Sequence, residues 1–131
     1  MPCTAGPVDP RELRQRCTCG APLLARYDLT AARRLPRPTL AGRESSMWRY
    51  RELLPLLQST RGIDGPVTLG EGWTPLVRTR RLGAALGLKR LYVKDESRNP
   101  TGSMRARGMS AAVTRALHGG ARHLSVSGAG H

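Results

Sequence analysis

The chain has 131 residues, which is enough for one domain with a modest core, and its formal net charge at pH 7 is +13. Its 22 basic residues are all arginine except Lys89 and Lys94, and they are scattered, which argues against nucleic-acid binding. No apolar run approaches the roughly 20 residues that span a bilayer, and the start lacks a secretion signal. We therefore predict a cytoplasmic protein with no membrane partner.

Residues 1–44 form the first predicted unit, a cysteine-containing segment followed by a connector. Cys17-Thr18-Cys19-Gly20 resembles half of a zinc knuckle, in which two thiolates on a tight glycine turn grip a tetrahedral ion. Cys3 offers a third thiolate, but a closed structural site needs four ligands, so a degenerate knuckle is favoured over a working zinc site. Residues 21–28 predict a short strand. The Pro36-Arg37-Pro38 run predicts an extended, non-helical connector, because proline lacks an N–H donor and restricts the preceding residue.

Residues 45–131 form the second predicted unit, which begins with a helix. Ser45 and Ser46 are N-cap residue types, and apolar residues follow them at helical spacing. Residues 62–72 contain four glycines and a proline and predict a loop, and residues 82–86 predict a short helix that Gly87 ends. Trp48 and Trp73 are interpreted as packing residues of a core or interface.

A strand–helix–strand pattern closes the chain. Residues 91–94 predict a strand, residues 103–117 a helix capped by Ser103 and ended by Gly119-Gly120, and residues 123–126 a second strand. Such a βαβ unit predicts a parallel sheet with a right-handed crossover. One unit alone leaves open sheet edges and uncovered faces. The predicted fold class is therefore α/β, as an incomplete portion of a larger domain.

Three motifs occur in order along this second unit. They are Met47-Trp48-Arg49-Tyr50-Arg51-Glu52-Leu53-Leu54-Pro55, then Gly70-Glu71-Gly72-Trp73-Thr74-Pro75-Leu76, then Lys94-Asp95-Glu96-Ser97-Arg98-Asn99-Pro100-Thr101-Gly102-Ser103-Met104-Arg105-Ala106-Arg107-Gly108. Together they resemble threonine synthase, one of the fold-type II pyridoxal-phosphate enzymes related to tryptophan synthase β. The resemblance implies the N-terminal portion of such an enzyme, whose second domain comes from later sequence.

The resemblance also assigns a coenzyme and a reaction. In the family, a lysine in the pattern Asn-Pro-Thr-Gly-Ser-Phe-Lys forms a Schiff base with pyridoxal phosphate, which acts as an electron sink while O-phosphohomoserine and water become threonine and phosphate. Arg105 occupies that lysine position in this chain. A guanidinium group stays protonated and its lone pair is delocalised, so it neither attacks an aldehyde nor acts as a base. It retains the ability to pair with a phosphate.

Ser103 and His131 are the other candidate coenzyme contacts. Ser103 heads a helix and can donate to an anion there, although an ordinary N-cap also explains it. In the family, an asparagine in the turn after the second strand hydrogen-bonds the coenzyme ring oxygen. His131 ends that turn here, and Asn99 is the only asparagine in the chain. Lys94, in the preceding strand, is the other lysine we considered for the coenzyme.

These observations predict a threonine-synthase-like chain that is catalytically inactive by itself and carries no assigned catalytic residue. One alternative is a non-catalytic partner or regulatory subunit of a full-length homologue. Others are a binder of an anionic ligand and an enzyme completed by a separate second-half chain.

Overall fold

The computed structural model describes residues 5–10, 12, 14–54 and 65–126. Its elements in chain order are α1 (Leu29–Arg33), α2 (Arg37–Ala41), a 3-10 helix (Met47–Leu53), β1 (Leu76–Arg78), α3 (Arg80–Ala85), β2 (Tyr92–Lys94), two short 3-10 helices (Glu96–Arg98 and Pro100–Gly102) and α4 (Arg105–His118). None of the helices in these ranges has the length and apolar character to cross a membrane. Helices and strands are thus mixed along the chain, as an α/β composition requires.

The connector of the first unit is helical, which corrects the prediction from its prolines. Pro36 is the N-cap of α2, and Pro38 is the second helical residue. The first N–H groups of a helix have no intrahelical acceptor, so a proline there loses no hydrogen bond. The strand predicted for residues 21–28 is also wrong, because the segment finds no partner strand and only Pro22 forms an isolated bridge, to Arg16.

The predicted helix start at residues 45 and 46 is confirmed at Ser46. The Ser46 side chain accepts a hydrogen bond from the Trp48 amide at 3.1 Å. The helix that follows is a 3-10 helix with a kink at Tyr50, where φ is −102° and ψ is 32°. This kink turns the buried Met47–Arg49 segment inward while the residues after it become exposed.

β1 and β2 form an antiparallel pair, with Val77 opposite Val93 in the middle of the register. β2 confirms the strand predicted at residues 91–94, whereas β1 was not predicted. The parallel pairing of residues 91–94 with residues 123–126 is not confirmed, because β2 bonds to β1 and residues 123–126 have no strand partner in the described part of the chain.

A row of buried residues runs along one face of α4. Ala106, Ser110, Thr114 and His118 are buried and lie one turn apart. Trp48, which is only 2% exposed, donates from Nε1 to Ser110 Oγ at 3.0 Å and confirms its prediction as a packing residue. This buried face of α4 is therefore mostly polar, and it packs through hydrogen bonds.

This polar face holds the 65–74 loop against the helix. Ser110 Oγ donates to the Val67 carbonyl at 2.6 Å, and the Val67 amide donates to Thr114 Oγ1 at 2.9 Å. One turn further, His118 Nε2 lies 3.0 Å from the Gly65 carbonyl oxygen. These contacts hold the loop backbone beside α4 at Gly65 and Val67.

Contacts cross the boundary that the sequence suggested between residues 44 and 45. Arg43 forms a two-pronged ion pair with Glu52, at 2.7 and 2.6 Å. Its Nη1 also donates to the Arg49 carbonyl at 2.5 Å. The hydrogen bonds from Arg43 hold the pKa of Glu52 down, at about 2. The boundary itself stays a prediction.

Candidate functional site

The second motif, which begins at Gly70, forms a tight loop around the buried carboxylate of Glu71. That carboxylate accepts the Thr68 hydroxyl at 2.5 Å and the Leu69 amide at 3.1 Å. Burial alone would raise the pKa of Glu71, but these hydrogen bonds outweigh it and the net shift is downward. The Glu71 carbonyl accepts the Met47 amide at 2.6 Å, which docks the loop against the first motif.

Glycine is required at position 72, where the loop packs against the backbone of Met47. Its φ is 106°, and a Cβ on it would lie 2.4 Å from the Met47 nitrogen. A side chain at this position would therefore collide with backbone, so the glycine explains the spacing of the motif.

Glu96 joins the second and third motifs. Its carboxylate accepts the Thr74 hydroxyl at 2.6 Å and two nitrogens of Arg107, Nε at 2.7 Å and Nη2 at 2.8 Å. The Arg107 and Thr74 hydrogen bonds hold the pKa of Glu96 down, at about 2. The Glu96–Arg107 pair is a bidentate, charge-assisted contact that orients α4 against the loop.

Asn99 completes this network from a buried position. Its Oδ1 accepts the Gly72 amide at 3.0 Å, while Nδ2 donates to Glu96 Oε2 at 2.7 Å. The only asparagine of the chain thus ties the second motif to the third. Its role here is to position the loop.

The turn before α4 is strained. Thr101 has a φ of 68°, a conformation that a non-glycine residue rarely adopts. Ser103 follows, half-buried, and its Oγ accepts the Arg105 amide at 3.2 Å. The N-cap of α4 is Met104, without a side-chain cap, so the cap predicted at Ser103 lies one residue too early and forms only this local bond. A contact of Ser103 with the coenzyme stays a prediction.

Arg105, the first residue of α4, is exposed. Its side chain makes no hydrogen bond or ion pair with any described residue, whereas Arg107 is engaged by Glu96. Residues two apart on a helix do not share a face, so the two arginines project differently. Arg105, which the family resemblance predicts at the Schiff-base lysine position, is therefore a cation whose side chain has no partner among the described residues.

The residues present do not fit covalent attachment of pyridoxal phosphate at position 105. The chain has two lysines, Lys89 and Lys94. Lys94 lies on β2 and its Nζ donates to the Thr74 carbonyl, so it belongs to the loop network. His131, the other candidate coenzyme contact, lies outside the described residues.

The cysteine motif forms the expected tight turn. The Gly20 amide donates to the Cys17 carbonyl at 2.9 Å, and Gly20 has a φ of 85°. Within the described ranges, Cys17 and Cys19 belong to no group of three potential metal ligands. Cys3 lies outside those ranges, so the zinc prediction that includes it stays untested.

Next to the motif network lies an open cleft of about 440 Å³. It is lined by Ser46, Met47, Arg49, Tyr50, Trp73, Thr74, Pro75, Lys94 and Arg107. Arg49 has no role predicted from the sequence, and Trp73 is predicted to pack in a core or interface. Trp73 is 61% exposed, so it does not lie in a core, and the interface alternative stays a prediction. Its ring stacks on Arg49, with 4.0 Å between the guanidinium carbon and the ring centroid.

Comparison with known proteins agrees with the motifs. A family model described as pyridoxal-phosphate dependent enzyme matches residues 67–131. The chain is 39% identical over 124 residues to the threonine synthase of Methanocaldococcus jannaschii, covering 94% of this chain and 30% of that protein. It is 43% identical over 86 residues to the threonine synthase of Methanosarcina acetivorans, covering 66% of this chain and 20% of that protein.

A third threonine synthase, from Halalkalibacterium halodurans, is 41% identical over 91 residues, covering 66% of this chain and 24% of that protein. The chain thus spans less than a third of the length of these relatives. No solved structure gives a significant match. This chain is therefore a relative of the threonine synthases, among the pyridoxal-phosphate dependent enzymes, and corresponds to their N-terminal portion.

Proposed function

We propose that this chain is a threonine-synthase-like polypeptide that does not anchor pyridoxal phosphate covalently and does not, by itself, convert O-phosphohomoserine into threonine and phosphate. When bound in the family, the coenzyme stabilises the carbanion of the substrate. We also expect the fold-type II architecture, with its parallel sheet, and a cytoplasmic location.

Arg105 is the observation that carries the proposal. The third motif, which contains Arg105, is held by hydrogen bonds among Glu96, Asn99 and Arg107, and the Arg105 side chain takes part in none of them. The side chain at position 105 is a guanidinium, which offers no free amine for an aldehyde. These hydrogen bonds order the motif, and the proposal is supported by the lack of a free amine at position 105.

Substitution of Arg105 by lysine tests this directly. The 131-residue chain and its Arg105→Lys variant are incubated with pyridoxal phosphate, reduced with borohydride and mapped by peptide mass spectrometry. We expect a stoichiometric pyridoxyl adduct at position 105 in the variant only. Low labelling of Lys89 and Lys94, equal in both proteins, provides the background.

Two results would contradict the proposal. One is a stoichiometric adduct on Lys94 in the wild-type chain, together with release of phosphate from O-phosphohomoserine. The other is an Arg105→Lys variant that keeps its fold, by circular dichroism, and gains no adduct at position 105. In that case the arginine is not what prevents anchoring.

A second candidate function is docking onto a longer homologue as a non-catalytic partner. The side chains of both strands support it, because Leu76, Val77, Tyr92 and Val93 are all exposed. Exposed apolar strands are surfaces that another chain can cover. Co-expression of the chain with a full-length threonine synthase, followed by affinity purification of the latter, is expected to recover both. A Val77→Lys, Val93→Lys variant should then be lost from the complex, and equal recovery of the two proteins would count against docking through these strands.

A further inference from the structure

A recess of about 740 Å³ opens beside α3, between the end of β1 and the start of β2. All the residues that line it lie between positions 78 and 91, so it falls outside the three motifs that carry the family resemblance. The exposed apolar residues of the two strands, Leu76, Val77, Tyr92 and Val93, do not line it. The recess is therefore a separate surface from the motif cleft and from the strand face.

Backbone hydrogen bonds fix the walls of this recess. The Thr79 amide donates to the Leu91 carbonyl at 3.0 Å, which joins the start of α3 to the residue before β2. At the other end of α3, Gly87 has a φ of 68° and the Leu88 amide donates to the Gly83 carbonyl at 2.8 Å. A Cβ on Gly83 would lie 2.7 Å from the Leu88 carbonyl oxygen, so the chain after α3 packs directly on the helix. The backbone around the recess is thus held at both ends of α3.

The charged residues that line the recess are all cations. They are Arg78, Arg80 and Lys89, which are exposed, and no acidic residue occurs between positions 72 and 94. Arg78 Nη2 donates to the Lys89 carbonyl at 3.2 Å, but none of the three cations pairs with a carboxylate of the described residues. Uncompensated charge of one sign in a concave surface attracts a partner of the opposite sign.

The rest of the recess is mostly apolar. Ala84 and Leu88 are exposed in it, and Leu91 is half-buried. Leu88 alone is 51% exposed. Apolar surface beside unpaired cations favours a partner that carries both carboxylates and an apolar side chain, because such a partner removes the leucines from water while it neutralises the charges.

Other anionic partners match the recess less well. Single-stranded nucleic acid stacks its bases on aromatic side chains, and none of the described residues that line the recess is aromatic. Binding to a membrane surface relies on a continuous apolar helix face, whereas α3 has only six residues. An acidic peptide presents carboxylates and apolar side chains side by side, which is the combination that the recess lacks.

We propose that this recess binds an acidic peptide segment of a partner protein. The carboxylates of the segment pair with Arg78, Arg80 and Lys89. An apolar side chain of the segment packs against Leu88 and Leu91. The inference goes beyond the function proposed above, because it requires neither the coenzyme nor any group at position 105.

Fluorescence anisotropy tests the proposal, with a short labelled peptide of glutamate and leucine residues titrated with the 131-residue chain. We expect saturable binding that Ala84→Glu weakens about tenfold or more, because the new carboxylate repels the peptide and pairs with Arg80 four residues earlier. Ala85→Glu is the matched control, since Ala85 is exposed on the same helix but does not line the recess. Its affinity should stay within about twofold of the wild type, although its net charge changes equally.

Two altered peptides test the two parts of the recognition. Replacement of the leucines by serine should weaken binding about threefold or more, because the contact with Leu88 and Leu91 is lost. Replacement of the glutamates by glutamine should abolish saturable binding, because the cations lose their partners. Equal affinity for the leucine and serine peptides would contradict the apolar contact, and equal affinity for the glutamate and glutamine peptides would contradict the ion pairs.

A second pair of variants decides the question if Ala84→Glu does not fold by circular dichroism. The double variant Arg80→Gln, Lys89→Gln should bind the peptide about three- to tenfold more weakly than the wild type, as expected for two exposed ion pairs. The control Arg33→Gln, Arg34→Gln removes the same charge from two exposed arginines at the end of α1, outside the recess. It should bind nearly as tightly as the wild type.

Three results would overturn the proposal. The first is the absence of saturable binding to the wild-type chain. The second is an equal loss in a recess variant and its control, which would indicate general attraction to the net charge of +13. The third is displacement of the labelled peptide by a single-stranded oligonucleotide or by anionic vesicles at a lower concentration than the unlabelled peptide requires. All three are independent of the outcome of the Arg105→Lys experiment.

Discussion

Replacement of Gly72 by alanine is the sharpest test of how the second motif is positioned. Any non-glycine residue at a φ of 106° is strained by about 1–3 kcal/mol. The added methyl would also lie 2.4 Å from the Met47 nitrogen. Relief of that overlap requires a backbone shift, which costs about 1–3 kcal/mol and endangers the Met47–Glu71 hydrogen bond, worth about 1 kcal/mol. We expect a total loss of about 3–7 kcal/mol.

Gly70 provides the matched control for this substitution. Its φ is 90°, but a Cβ there would meet no atom within 4 Å. Gly70→Ala should therefore lose only the conformational part, about 1–3 kcal/mol. Urea denaturation of the two variants, followed by tryptophan fluorescence and circular dichroism, measures both free energies of unfolding. Equal losses would show that the contact with Met47 is not what requires glycine, and the reasoning would fail.

Two further predictions concern hydrogen bonds between the motifs. The pKa of Glu96 is about 2 in the folded chain, against an ordinary value of 4.5. Between these two pH values the unfolded chain therefore binds more protons than the folded chain. The stability that Glu96 contributes is complete above pH 4.5 and is lost as the pH falls towards 2. The midpoint of thermal unfolding should fall between pH 5 and pH 3, and Glu96→Gln should make that fall smaller. An equal fall in the wild type and the variant would refute a stabilising role for the pairing of Glu96 with Arg107. Thr114→Val should cost about 0.5–1.5 kcal/mol, because it removes the hydrogen bond that the fully buried Thr114 hydroxyl accepts from the Val67 amide. Faster hydrogen exchange at that amide, with no change in Thr18→Val, is the expected signature.

Local sequence signals predicted several elements of this protein correctly. Ser46 caps the helix that follows it, β2 lies where β-branched and aromatic residues predict a strand, and α4 ends before Gly119 as predicted. These signals work because caps, turns and helix ends are decided by neighbours in the chain. The extended structure predicted for the proline run is wrong, because proline is compatible with the first turn of a helix and Pro36 and Pro38 lie at the start of α2.

The sequence alone determined the family resemblance and the chemical consequence of Arg105, since both depend on residue identity and spacing. Only the tertiary structure decided that β2 pairs with β1 in antiparallel register and that a polar face of α4 holds the 65–74 loop. Polar residues at helical spacing give no apolar stripe to detect, and pairing between distant segments depends on backbone hydrogen bonds that any residue can make. The same reason hid Arg49, because a buried guanidinium with unsatisfied donors becomes visible only when its neighbours from distant parts of the chain are in place.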